Sequence, residues 1–131
     1  MIVLDTHAWI WWVDQSGSFG TAAQRALREA EGKSAICVSS MSVWEVQMLV
    51  KKGRLRLKTD VDHWVRQCEL SSRMKFVPVD NEIARLSVHL PDPSPADPAD
   101  RIVIATALAL GASLVSKDEE IRRCKAVRTI W

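Results

Sequence analysis

Five carboxylates hold the positions from which this sequence could do chemistry: Asp5, Glu45, Asp97, Asp100 and Asp118. Brought together without a counter-ion, they would repel one another, and some of their pKa values would rise. A hard divalent cation, Mg2+ or Mn2+, relieves that repulsion with oxygen ligands alone. Such a cation polarises a phosphate oxygen and lowers the pKa of a bound water, and a second ion can stabilise both the attacking and the leaving oxygen. The chemistry to expect is hydrolysis of a phosphodiester by metal-activated water. Cys37, Cys68 and Cys124 are odd in number, far apart and in no ligand-spaced pair, which fits a reduced protein and argues against a structural zinc site.

Taken singly, most of these acids also have a structural explanation. Asp5 and Asp118 can cap helices. In Asp97-Pro98-Ala99-Asp100-Arg101 the first Asp reads as a cap, Pro takes the first helical position, and Asp100 is an acid favoured by the helix dipole. Arg101, four residues on from Asp97, is spaced to pair with it. Glu45 fits neither explanation. Its neighbours at three and four residues are Met41, Ser42, Met48 and Leu49, so the carboxylate lies on or beside a face that should be buried, and a buried carboxylate needs a partner.

The elements that must position these acids follow from hydrophobic pattern and punctuation. Ile2-Val3-Leu4 reads as a buried strand feeding a helix over 6–13. Further strands are expected at 35–38, 76–79, 112–116 and 126–131. Helices are expected over 21–31, 41–52, 59–73, 80–90 and from Pro98 to a stop at Gly111, with a short helical turn through Arg123. Four of the chain's five prolines fall between Pro91 and Pro98, so the stretch before the last long helix is a rigid connection.

Strands alternating with helices imply an α/β fold: a three-layer α/β/α arrangement with a parallel sheet of about five strands, in a single domain over 1–131. In such sheets ligands bind beyond the carboxyl ends of the strands, near where strand order reverses. Asp5 and Asp118 fall just past strand ends, Asp97 and Asp100 open a helix, and Glu45 is one turn into the helix after the second strand. Four separate segments thus bring five acids to one rim.

Bulk composition narrows the class without naming a ligand. At 131 residues, 47% hydrophobic and 26% charged, the chain can bury a core, and its net charge of +2 implies no polyanion partner by itself. The longest apolar stretch, 102–112, is far short of the roughly 20 residues of a membrane-spanning helix. No basic leader precedes Asp5, so a cytoplasmic location is expected. The basic run Lys51-Lys52-Gly53-Arg54-Leu55-Arg56-Leu57-Lys58 can hold RNA phosphates, and equally reads as a solvated helix end.

Met1-Ile2-Val3-Leu4-Asp5-Thr6-His7, Ser42-Val43-Trp44-Glu45-Val46, Asp97-Pro98-Ala99-Asp100-Arg101 with Ala105-Thr106-Ala107, and Leu114-Val115-Ser116-Lys117-Asp118 together resemble PIN-domain ribonucleases, in particular the VapC toxins of type II toxin–antitoxin pairs. The resemblance runs over almost the whole chain. It implies a Mg2+- or Mn2+-dependent endoribonuclease, usually a homodimer, that acts on RNA and is held inactive by a small antitoxin. By position, Asp5, Glu45, Asp100 and Asp118 correspond to the family's acidic quartet, with Asp5 and Asp100 the firmest metal ligands and Asp97 a supporting acid. Thr6, Ser42 and Ser116 are candidates to support the carboxylates by hydrogen bonds. Ser116 stands where the family often has Thr.

Some relatives carry a His before the Asp-Pro pair; 90–96 has none here, and His7 reads as a packed or surface residue. Trp9, Trp11 and Trp12 cannot all face one core, so one of them or Trp44 is expected at an antitoxin or dimer interface. The alternative reading is a non-catalytic RNA- or protein-binding module whose acids are structural.

Overall fold

In the computed structural model, which describes residues 1–131, short apolar runs form the strands of one parallel sheet and the amphipathic segments cover it. The elements run β1 (Ile2–Leu4), α1 (Thr6–Asp14), α2 (Thr21–Gly32), β2 (Ile36–Ser39), α3 (Ser40–Lys51), α4 (Val61–Leu70), β3 (Lys75–Val77), α5 (Asn81–Val88), α6 (Pro98–Leu110), β4 (Ser113–Val115), α7 (Glu119–Arg123) and β5 (Thr129–Ile130). Strand order is β3-β2-β1-β4-β5, every neighbouring pair parallel. The chain winds outward from β1 in one direction through β2 and β3, then returns to the other side for β4 and β5. The order therefore reverses between β1 and β4, and a crevice is expected at the carboxyl ends of those two strands.

The period-two alternation of the strands divides the interior into two cores. Ile2, Leu4, Ile36, Val38 and Val115 pack with Trp9 of α1, Leu27 of α2 and Trp64 of α4. Val3, Cys37 and Leu114 face the opposite way and pack with Val103, Ile104 and Ala107 of α6 and Ile121 of α7. This is the three-layer arrangement that the sequence pattern predicts. Each fully buried Val, Leu or Ile contributes roughly 2 kcal/mol, so strands of two to four residues suffice when both faces are covered.

The edge strands are shorter than the apolar runs suggest, and β5 keeps only Thr129 and Ile130 of the stretch 126–131. An edge strand pairs on one side only, so ladder bonds hold fewer of its residues. The helix expected over 59–73 contracts to Val61–Leu70, because Asp60 caps it by accepting from the N–H groups of Asp62 and His63.

Helix ends are set by the residues that the sequence offers. Ser39, Asp80 and Asp97 accept from first-turn N–H groups of α3, α5 and α6, and α6 stops at Gly111, whose φ of 61° lies in the left-handed region. No helix is long and apolar enough to cross a membrane.

Candidate functional site

The turn after β1 and the turn after β4 place Asp5 and Asp118 side by side at the switch point, because Leu4 and Val115 are register partners in the β1–β4 ladder. Asp5 is the N-cap of α1: its Oδ1 accepts from Ala8 N–H at 2.8 Å. Asp118 caps α7 in the same way, accepting from Ile121 N–H at 3.1 Å, and Asp97 caps α6 from Ala99 and Asp100 N–H at 2.8 and 3.2 Å. Capping and a place in the site are therefore not alternatives. For Asp97 and Asp118 the cap occupies one carboxylate oxygen, and the other accepts nothing from the protein.

Asp100 differs from these three. One turn into α6, its carboxylate makes neither a hydrogen bond nor an ion pair; the molecule's two ion pairs, Arg73–Glu31 and Arg123–Glu119, are exposed and elsewhere. Glu45 of α3 is half-buried, as its spacing implies, and its partner is Thr6 Oγ1 at 2.6 Å. Ser42 Oγ lies 2.9 Å from the same Thr6 oxygen. Thr6 has one hydroxyl proton, so the shorter contact takes it: Thr6 donates to Glu45, and Ser42 donates to Thr6. Ser116 is buried, and its Oγ accepts from Asp118 N–H at 3.1 Å, leaving its own proton to favour the Asp5 carboxylate.

All five carboxylates border one cavity of about 160 Å³, with Val103 and Ile121 as its apolar wall. Their charges act on one another. Burial, reinforced by Asp97, Glu45, Asp118 and Asp5, pushes the Asp100 carboxyl up to about 7. Burial raises Glu45 against the Thr6 hydrogen bond, with Asp97 and Asp5 adding to the rise. Asp5 is raised chiefly by burial, which outweighs the hydrogen bonds from Ser116 and Ala8. No three of these side chains converge as a finished set of ligands. The donor set is nonetheless the one a hard cation takes: carboxylate oxygens only, mutually repelling, on backbone fixed by helix caps.

A larger hollow, about 300 Å³, lies at the opposite, amino-terminal edge of the sheet, by Ile2 and Ser113. Arg25, Lys33 and Arg128 line it with a single acid, Glu29, so it offers no comparable ligand set.

The pairing expected between Arg101 and Asp97 is absent. Arg101 donates instead to Ser87 O, Val88 O, Ser94 Oγ and Pro95 O, at 2.8 to 3.1 Å. The Asp97 carboxylate is turned onto its own helix's N–H groups, out of the geometry that the four-residue spacing assumes.

Two residues beside the acids were not assigned to the site from the sequence: His7, and Trp11, which was expected only among the interface tryptophans. His7, set aside as a packed or surface residue, is exposed and lines the acidic cavity, and with Trp11 it also borders a neighbouring hollow. The usable signal was their four-residue spacing on a helix that starts at Asp5. Of the other tryptophans, Trp9 is fully buried, Trp12 is half-buried beneath the Arg73 guanidinium, and Trp44 is 54% exposed.

Residues 2–127 match the PIN domain family. The chain is 32% identical to Ribonuclease VapC22 of Mycobacterium tuberculosis (strain ATCC 25618 / H37Rv), an alignment that covers 99% of this chain and 98% of that protein. Its fold is similar to VapBC2 from Rickettsia felis bound to a DNA fragment from their promoter, with a TM-score of 0.70 and 17% identity over 98% of this chain and 97% of that one. DNA-bound VapBC from Salmonella typhimurium is also similar, with a TM-score of 0.68 and 19% identity over 98% and 95% of the two chains.

Proposed function

The chain belongs to the PIN-domain family, and from that premise we propose that it is a divalent-metal-dependent endoribonuclease, the toxin of a toxin–antitoxin pair. One observation carries the reading: five carboxylates from four segments border one cavity at the topological switch point, and none of them meets a cationic side chain. Asp5 and Asp100 are the principal ligands, with Asp118 and Glu45 completing the set. PIN-domain ribonucleases use a divalent metal, and for this chain we take it to be Mg2+ or Mn2+. When bound, the ion supplies Lewis acidity and a water of lowered pKa for hydrolysis of an RNA phosphodiester.

The chain's own residues make the cavity fit for that work. Asp97 fixes the start of α6 and so aims Asp100, one turn later, at the rim. The relay from Ser42 through Thr6 holds Glu45 in one orientation. Ser116 accepts from Asp118 N–H and so fixes the turn after β4, and its hydroxyl counters the effect of burial on the Asp5 carboxyl. The amino ends of α1 and α6 open onto the cavity, and their partial positive charge eases both the crowding of acids and the approach of a phosphate. The likeness to VapBC assemblies supports a small antitoxin as partner. A homodimer and a cytoplasmic setting complete the proposal.

Thermal melting with and without Mn2+ tests the site. Metal raises the melting temperature of the wild type and raises that of Asp100→Asn much less, since removing a ligand removes the linkage between binding and folding. RNA cleavage tests the activity, and Asp5→Asn should lose on the order of 100-fold or more. Undiminished cutting by Asp5→Asn would mean that the ligand set is misassigned.

A further inference from the structure

A second hollow, about 190 Å³, adjoins the acidic cavity and shares Asp5, His7 and Asp118 with it. Its remaining walls are Trp11 and Lys117. Trp11 also lines a third hollow, about 540 Å³, beside Phe19 and the polar turn Gln15-Ser16-Gly17-Ser18. One indole thus stands between two depressions, and the nearer one opens beside the carboxylates.

That indole is braced. Phe19 and Trp131 meet it edge-on, with ring centroids 6.4 and 6.0 Å away, and His7, one turn earlier on α1, lies 5.8 Å away at a tilt. Gly17 lies against the ring so closely that a Cβ there would be 2.8 Å from the indole, and its φ of 72° is in the left-handed region, so only glycine fits. Trp9, two residues earlier, shows what a purely structural tryptophan looks like here: fully buried against Trp64 and Phe76. Trp11 is held as firmly yet remains partly exposed.

We propose that Trp11 and His7 form a stacking subsite for a nucleobase flanking the scissile phosphodiester, with Lys117 holding that nucleotide's phosphate. The inference rests on the ribonuclease reading above. A strand whose phosphate sits among the carboxylates must leave the cavity in some direction. Asp97, Asp100 and Glu45 repel its backbone on one side, and the shared wall leads on the other side to the His7 and Trp11 rings and an exposed ammonium. Unpaired RNA is recognised by stacking on such rings, whereas a duplex would keep its bases stacked inside. A rigid ring costs no ordering on binding, which is what the bracing by Gly17, Phe19 and Trp131 supplies.

The test measures binding of a short oligouridylate and of a base-free ribose-phosphate oligomer of equal length, by the 131-residue chain carrying Asp100→Asn so that neither probe is cut. The subsite predicts on the order of 10-fold tighter binding of the base-bearing probe. Adding Trp11→Leu should bring that ratio toward one, while Trp11→Phe retains most of it. Lys117→Ala should weaken both probes alike and reduce the salt slope by about one. Equal affinity for the two probes before Trp11 is changed, or a ratio unmoved by Trp11→Leu, overturns the subsite and leaves the hollow as a surface for a protein partner. If Trp11→Leu melts as an unfolded chain, the exposed His7→Ala decides: the ratio falls if the subsite is real, and an unchanged ratio overturns it. The two readings fail separately. Base preference without RNA cleavage by the wild type sinks the nuclease, and cleavage without base preference sinks the subsite.

Discussion

Asp100 and Arg101 are neighbours in the chain, and the structure treats them in opposite ways. Asp100 borders a cavity among four other carboxylates and its own carboxylate makes no hydrogen bond, with its carboxyl raised to about 7 by burial and by those charges. Arg101 is fully used: its guanidinium ties the end of α5, through Ser87 O and Val88 O, to the proline-rich connection, through Ser94 Oγ and Pro95 O. A cation one residue from the acidic cavity is thus engaged elsewhere. Neutralising the acids from within would have closed the site to an outside cation.

If this division is real, Arg101 belongs to stability and Asp100 to function, and the largest stability effect falls on the arginine. Arg101→Leu leaves three carbonyls and a hydroxyl without their donor at a half-buried position, and should cost on the order of 3 kcal/mol. Chemical denaturation would read that loss as a lower midpoint. Arg101→Lys should recover little of it, because one ammonium cannot reach acceptors arranged for a planar fork. Full recovery by Lys would mean that charge near the acids, and not the tie to the proline segment, is what Arg101 provides.

The same pair marks the limit of what the sequence can tell. Asp5, Asp97 and Asp118 are legible because a cap is local: it needs only an acid, a helix start and a free N–H two or three residues on. The sheet was legible because buried strands are continuous apolar runs, and their alternation with helices leaves few topologies. Glu45 was legible from its apolar neighbours at helical spacing. The partners of Arg101 were not, since three of its four acceptors are backbone carbonyls, which every residue carries and no letter marks. Trp11 and Lys117 escaped for a related reason. Their role depends on a shared wall between two hollows, and that wall exists only once β1 and β4 are paired.

A smaller effect separates the two residues by pH. The folded-state pKa of Asp100, about 7, lies above its ordinary value of 3.8, so its ionisation in the folded chain opposes folding. Its favourable contribution is complete below about pH 4 and is lost as pH rises toward 7; Asp5 and Glu45 are shifted in the same direction. With chelator present, Asp100→Asn should therefore melt above the wild type at pH 8, and the gap should close as pH falls through 7 toward 4. The Arg101→Leu penalty should stay flat over that range, because the guanidinium never titrates there. A pH-independent gap for Asp100→Asn would show that the carboxylates do not feel one another as their common cavity implies.

The finest test of the division concerns Thr6, which is buried like a core residue and yet bonded to a site acid. Thr6→Val keeps the shape and removes the hydroxyl that Glu45 and Ser42 share. If the relay only fills space, stability falls by about 1 kcal/mol and cleavage is unchanged. If it holds Glu45 in place for a cation, cleavage falls on the order of 10-fold, the effect typical of residues that orient a metal's ligands. Thr6→Ser settles which atom matters, since it keeps the hydroxyl and gives up the methyl group. It should retain the rate while losing some stability, so that the two functions of one side chain are read on separate scales.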